Sequence, residues 1–278
     1  MTKIGYWIFR ISALLRWYGQ AKTRYDIHSP YLSDFIEASL QQRQPYFPFA
    51  LIQQVRKYWS KHPGEVGIMQ QGAPSKITTA NVRKINQLVT KSAIPTRWGE
   101  FLFRTALFNR ARHIIELGTN AGISTLYLHY ADRRAQLHTI EGNPQIAALA
   151  KHTFKITHCQ PSLQQYVGTF SDTLPLVLQQ TPQVDLLFID GDHRYATTID
   201  YVNQCIPKAT PDSIFIVADI HWSTDMERAW EELTTNPVFA ASLDLGYFGV
   251  LFFQPAAKTA QHFKLISTRW KPWRIGLF

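Results

Sequence analysis

Residues 113–125 read His-Ile-Ile-Glu-Leu-Gly-Thr-Asn-Ala-Gly-Ile-Ser-Thr, and this stretch decides the fold. Its first five residues are a short apolar run of the kind a buried strand requires. Gly118 ends that run, and Ile123 to Ala131 continues with helical character. A strand that turns through glycines into a helix lets backbone come close to a ligand and keeps the helix N-terminus open toward it. The dinucleotide pattern G-x-G-x-x-G is not met, because Asn120 stands at the second glycine position and no third glycine follows. Such a loop suits a ligand without a pyrophosphate.

Downstream, strands and helices alternate. Leu137 to Glu141 reads as a strand, Pro144 to Lys155 as a helix with proline at its start, and Val184 to Asp190 as a continuous apolar strand. Tyr195 to Lys208 is a helix, Ser213 to Asp219 a buried strand and Thr224 to Thr235 a helix. Val238 to Asp244 and Tyr247 to Phe253 form a closing pair joined at Gly246. This order implies an α/β, Rossmann-like architecture: a largely parallel sheet covered on both faces, with ligands at the carboxyl ends of the strands. Glu116, Glu141, Asp190 and Asp219 each fall at or near such an end. Four acids in equivalent positions point to a site.

Upstream, residues 1–110 read as mostly helical. Ile4, Trp7, Ile8, Ile11, Leu14, Leu15 and Tyr18 share one helical face, with Lys3, Arg10 and Arg16 largely off it. The expectation is an amphipathic helix packed on the main domain, with a membrane-surface or partner-binding helix as the alternative. His28-Ser29-Pro30 marks a helix boundary, Pro45 and Pro48 bracket a loop, Leu51 to Lys61 resumes a helix, and Pro63 to Ser75 is a loop or linker. The chain thus divides into a helical extension or lid (1–110), a main domain (111–255) and a basic C-terminal tail (256–278).

With 45% hydrophobic, 13% aromatic and 18% charged residues, the 278-residue chain can bury a full core and is not disordered. Cys159 and Cys205 form no ligand or disulfide pattern, which fits a reducing compartment. Arg10 and Arg16 interrupt the apolar start where a signal peptide or membrane span would need continuity, so the expected location is cytoplasmic. The formal charge is +11 over residues 1–110, −7 over 111–250 and +5 over 251–278. The acidic middle is where chemistry is expected. The basic ends either meet an anionic partner or pack on the acidic part. Trp270-Lys271-Pro272-Trp273-Arg274 mixes tryptophan with cations, as membrane-interface anchors do.

Among the strand-end residues, Glu141 can accept both ribose hydroxyls of an adenosine, a role open to a dehydrogenase or a methyltransferase. Glu116 either supports the ligand indirectly through the loop or holds the turn's backbone amides. Asp190-Gly191-Asp192-His193 sets an acid and a base at the rim of one cleft, with helix capping as the alternative for His193. Asp219 can join Asp190 in holding a divalent cation that lowers a hydroxyl's pKa. His221 and Trp222 line the acceptor pocket or pack beside it.

Taken together, ELGTNAGIST (116–125), TIEGNP (139–144), LLFIDGDHRY (186–195) and VADIHWS (217–223) resemble the class I S-adenosylmethionine (SAM)-dependent methyltransferases. The resemblance is to their O-methyltransferase branch, which includes catechol O-methyltransferase and macrolide-sugar methyltransferases. The whole chain resembles a bacterial subgroup with an N-terminal helical extension, through His28-Ser29-Pro30 and Gly72-Ala73-Pro74-Ser75, where Pro74 replaces a glycine. The resemblance implies a seven-stranded sheet with the last strand antiparallel. It assigns Gly118, Thr119, Asn120, Gly122 and Ser124 to the methionine part of SAM. Glu141 falls to the ribose, with Gly142 beside it among the cofactor-binding residues, Gly168-Thr169-Phe170 to the adenine, and Asp190 to a place beneath the sulfonium. In metal-dependent relatives, acids matching Asp190 and Asp219 hold Mg²⁺. In sugar-modifying relatives, a histidine matching His193 is the base. The usual third metal ligand beside Asp219 is missing, since Ala218 and Ile220 cannot coordinate, which leaves Asp192 or His221 as substitutes.

The expected function is O-methylation of a small-molecule acceptor. The competing readings are a non-catalytic module that binds SAM or S-adenosylhomocysteine, and a methyltransferase acting on nucleic acid or on a lipid or glycan precursor. Nucleic acid is disfavoured, because Asn236-Pro237-Val238-Phe239, the partial look-alike of an N-P-P-Y motif, follows the wrong strand. Peripheral membrane contact through the N-terminal helix stays open. So does the oligomeric state, with which a dimer is compatible.

Overall fold

The computed structural model describes residues 3–67, 82–253 and 261–274, with backbone alone for 3–7. Gly72–Ser75 lies outside the described residues. The N-terminal part comprises α1 (Lys3–Gln20), α2 (Pro30–Ile36), α3 (Phe47–Ser60), the ribbon β1 (Glu65–Gly67) and β2 (Val82–Lys84), the single turn α4 (Ile85–Gln87) and α5 (Thr96–Phe108). Then come β3 (His113–Leu117), α6 (Ile123–Ala131), β4 (Gln136–Glu141), α7 (Pro144–Ile156), β5 (Leu163–Val167), α8 (Phe170–Gln180) and β6 (Val184–Ile189). The chain continues through α9 (Tyr195–Cys205), β7 (Ala209–Ala218), α10 (Thr224–Thr235), β8 (Ala241–Asp244), β9 (Phe248–Phe252) and β10 (Gln261–Lys264).

The main sheet runs β5-β4-β3-β6-β7-β9-β8-β10. Every neighbouring pair is parallel except those made by β9, which runs against both β7 and β8. The expected seven-stranded order with one antiparallel strand is therefore present, and an eighth strand, β10, is added at its edge. Four residues, Gln-His-Phe-Lys, are too short and too polar to announce a strand, but pairing them covers the open edge of β8.

Alternation along the strands explains the three layers. In β6, Leu186 and Phe188 face one core, and Val184, Leu187 and Ile189 face the other. The first core also takes Leu32, Phe35, Ile52 and Phe101 from the N-terminal helices, so these helices cover one face of the sheet. α8, α9 and α10 cover the opposite face with Leu174, Val202, Trp230 and Leu233. Glycine lets the layers close up: a Cβ on Gly99 in α5 would lie 2.2 Å from the Tyr127 ring in α6.

Some local expectations change. Pro48 lies within the first turn of α3, where its missing N–H costs nothing, so the helix begins at Phe47. Ser29 caps α2 by accepting from the Leu32 amide, with Pro30 in the first turn. α1 is a helix, but the face expected to pack inward points out. Ala13 and Trp17 are buried, whereas Ile8, Ile11, Leu14 and Leu15 are 56–64% exposed. Packing through alanine and tryptophan leaves the larger aliphatic stripe to the surface. The C-terminal segment docks beside this helix: Lys271 Nζ donates to the Ala21 carbonyl (2.7 Å), and the Tyr18 hydroxyl donates to the Trp270 carbonyl (2.7 Å).

Candidate active site

The strand tips stay paired up to the site. The Gly118 amide donates to the Ile140 carbonyl, the Asp190 amide to Leu117 and the Asp219 amide to Tyr247. Gly118 has φ +108°, and a Cβ there would come within 2.2 Å of the Asp190 carbonyl oxygen, so the first loop and the end of β6 touch backbone to backbone. Gly122, at φ +83°, leads into α6 without any side-chain cap, which leaves the helix's first amides open toward the cleft. Four non-glycine residues at the strand tips adopt the left-handed region: Asn120 (φ 49°), Asp192 (65°), His193 (46°) and Asp219 (55°). Such strain collects where surrounding structure fixes a functional geometry.

These tips open on a cleft of about 760 Å³, the size of small-ligand sites. Gly118, Thr119, Asn120, Ser124, Glu141 and Gly142 line one side, and Thr169, Phe170, Asp190, His193 and Asp219 also border it. Gly122, Gly168 and Glu116 are not among its lining residues. A Cβ on Gly122 would meet the Phe154 ring and one on Gly168 the Thr173 hydroxyl, so these glycines shape the loops from behind.

Glu116 is fully buried and accepts from the hydroxyls of Thr125 (2.6 Å) and Thr139 (2.7 Å). It therefore holds side-chain hydroxyls and not the turn's amides. Its second oxygen has no hydrogen-bond partner among the described residues, and burial pushes its pKa up to about 7. Glu141 accepts from the amides of Asn120 (2.9 Å) and Asn143 (3.0 Å), which ties both flanking loops to one carboxylate. Each of its oxygens keeps a second lone pair for a ligand hydroxyl. Burial raises its pKa despite those amides.

Burial first, then the charges of Asp219 and Glu116, push Asp190 up to about 8. Asp219 is also raised by burial. His193 Nε2 lies 3.8 Å from Asp219 Oδ2, and burial lowers the imidazole's pKa against the pull of Asp219 and Asp192. The histidine is thus held neutral near pH 7. It does not cap α9, whose N-cap is Arg194 without a side-chain bond. Asp190, His193 and Asp219 each offer a ligand atom, all within 4.8 Å of one another. The substitutes considered for a third metal ligand are otherwise engaged. Asp192 pairs with Arg194 and accepts from Tyr201 (2.8 Å), and His221 sits between Glu227 (3.1 Å) and Asp244 (3.0 Å) beside a separate, smaller cavity. Trp222 does line the main cleft.

Several lining residues carried no sequence signal. Tyr247 borders the cleft because β9 runs antiparallel, so its start lies where the parallel strands end. Its ring stacks on Trp98, and burial together with Asp190 and Asp219 raises its pKa. Arg10 of α1 and Lys91 of the segment before α5 also reach the rim. The position of an antiparallel strand relative to the carboxyl edge was the one clue that could have found Tyr247.

The sheet order is that of the Rossmann-like fold of solved methyltransferase structures. Residues 115–220 match the family model described as a methyltransferase domain. A catechol O-methyltransferase from Niastella koreensis is 33% identical over 123 residues, which cover 44% of this chain and 54% of that protein. The chain spans about half the length of the curated relatives it matches. An O-methyltransferase from Streptomyces achromogenes, solved with SAM, has a TM-score of 0.56 at 18% identity, covering 82% of this chain and 99% of that one. The crystal structure of an O-methyltransferase assigned in Klebsiella pneumoniae aligns with a TM-score of 0.56 at 16% identity, over 81% and 96% of the two chains.

Proposed function

We propose that the chain is a SAM-dependent O-methyltransferase acting on a small-molecule acceptor. One observation carries this reading: Glu141, Asp190 and Asp219 converge on one cleft, Glu116 stands directly behind it, and burial raises the pKa of all four. Burial disfavours the charged form of Asp190, and a sulfonium beside it would restore that charge. The residues fit SAM. Glu141 takes the ribose hydroxyls with its free lone pairs, the uncapped start of α6 meets the methionine carboxylate, and Phe170 borders the adenine.

When bound, SAM supplies a methyl group already activated by the positive sulfur. The chain's contribution is then chiefly alignment, and a near-attack geometry is worth roughly 7–11 kcal/mol. His193, held neutral by burial, takes the proton from the acceptor hydroxyl, and Asp219 favours the imidazolium that results. Tyr247 and Trp222 form an aromatic wall for the acceptor.

A second assignment of the same triad is favoured by the proximity of its ligand atoms: Asp190, His193 and Asp219 together holding Mg²⁺. In that case the cation, and not His193, would acidify the hydroxyl. Label transfer from methyl-labelled SAM to a panel of hydroxyl acceptors tests the reading, and the named relatives make a catechol the first to try. Methylated product supports it. SAM binding with no product from any acceptor favours a non-catalytic module. Loss of turnover with a chelator, restored by Mg²⁺, assigns the triad to metal, and chelator-resistant turnover assigns His193 as base.

A further inference from the structure

We propose that the outward face of α1 and the adjoining C-terminal turns form a docking surface for anionic membranes. The first observation is an inverted helix. On α1, Ile8, Ile11, Leu14 and Leu15 form a stripe 56–64% exposed, while small Ala13 and the Trp17 ring do the packing. A helix stabilised by its own core would place the larger aliphatic groups inward.

The second observation is what lies beside the stripe. Trp270 and Trp273 are 67% and 70% exposed, and Trp270 is fixed to the end of α1 by the Tyr18 hydroxyl. Lys271 anchors that junction by donating to the carbonyls of Gly19 and Ala21. Exposed tryptophans on a segment bonded to the end of the helix that carries the stripe are suited to the boundary between headgroups and acyl chains.

Charge selects the occupant. Residues 1–25 and 254–278 contain no Asp or Glu, and their described parts carry Arg16, Lys22, Lys264, Arg269, Lys271 and Arg274. Arg16 and Arg274 do pair with Glu227 and Asp26 from neighbouring elements, at 3.3 and 3.2 Å. Lys22, Lys264 and Arg269 add further positive charge, so the two segments stay net basic. A second copy docking by the same face would set like charges opposite each other. A bilayer containing acidic lipid matches both the apolar stripe and the cations. No helix among the described residues is long and apolar enough to cross a membrane, so the contact lies in the plane of the surface.

Co-sedimentation of the full chain with vesicles of phosphatidylcholine alone, or of phosphatidylcholine with phosphatidylglycerol, tests the proposal. Binding at least about tenfold tighter to the acidic vesicles, weakened by salt, is expected. The double variant Ile11→Glu, Leu15→Glu should lose that binding with an unchanged melting temperature, since both side chains are already exposed. Should it fail to fold, Trp270→Ser with Trp273→Ser provides the same reading. Equal or absent binding to the two vesicle types overturns the proposal. So does a dimer in solution that the double variant converts to monomer, which would make the face a self-interface.

Discussion

Gly118 shows how one residue sets the site. At φ +108°, and with the Asp190 carbonyl 2.2 Å from where a Cβ would stand, no larger side chain fits without moving backbone. Gly118→Ala should cost about 2 kcal/mol or more in denaturant unfolding and weaken SAM binding as the two strand tips separate. Under the proposed function the chemistry divides between two other residues. Glu141→Ala should weaken SAM affinity by at least about tenfold in calorimetry, since hydrogen bonds to a charged group contribute about 1.5–3 kcal/mol. His193→Ala should leave that affinity nearly unchanged and lower kcat by roughly 10²–10⁴. Unaltered turnover would remove His193 as the base.

At the scale of elements, the N-terminal helices brace the loop from Gly118 to Gly122. Trp59 Nε1 in α3 donates to Thr153 Oγ1 in α7 (2.8 Å), and that hydroxyl donates to the Ala121 carbonyl (2.8 Å). Thr153→Val leaves a buried indole N–H and a loop carbonyl unpaired, which should cost about 1–3 kcal/mol of stability and weaken SAM binding although residue 153 does not line the cleft. Equilibrium unfolding together with calorimetry checks both effects. None of this bracing was legible in the sequence, because Trp59 and Thr153 meet only after the helices pack. The buried strands β6 and β7 were legible as nearly unbroken apolar runs, as a parallel strand covered on both faces reads, and β3 and β4 as shorter runs placed by the glycine that follows each. β5 was not: Leu163-Gln164-Gln165-Tyr166-Val167 is half-exposed beside β4, and its pattern resembles a loop. For the same reason the carboxylates at strand tips could be read from chain position, whereas Tyr247, Arg10 and Lys91 reach the cleft from elements whose placement depends on tertiary contacts. The exposed stripe of α1 has the periodicity of a packed helix, and periodicity alone does not say which neighbour a face meets.

Over the whole molecule, charge is stored where folding disfavours it. Glu116 and Asp190 hold their protons to about pH 7 and about pH 8, whereas exposed carboxyls release theirs near pH 4. Between those limits these two groups bind more protons in the folded chain than in the unfolded one, so their contribution to stability is greatest at the acidic end and is lost as pH rises through the folded values. Glu116→Gln should therefore melt progressively higher relative to the parent chain as pH increases from about 4.5 to about 7, and the difference should level off above that. A difference independent of pH would mean that the carboxylate is not strained by burial.

The same proton accounting gives the sharpest test of a cleft built for a cationic methyl donor. SAM binding should expel the proton from Asp190, so its affinity, measured by calorimetry across about pH 6 to 9, should rise close to tenfold per unit until about pH 8 and then level off. Asp190→Asn should flatten that profile. An affinity that does not change with pH in the parent chain, or a slope that survives in Asp190→Asn, would contradict the assignment of this carboxylate to the sulfonium.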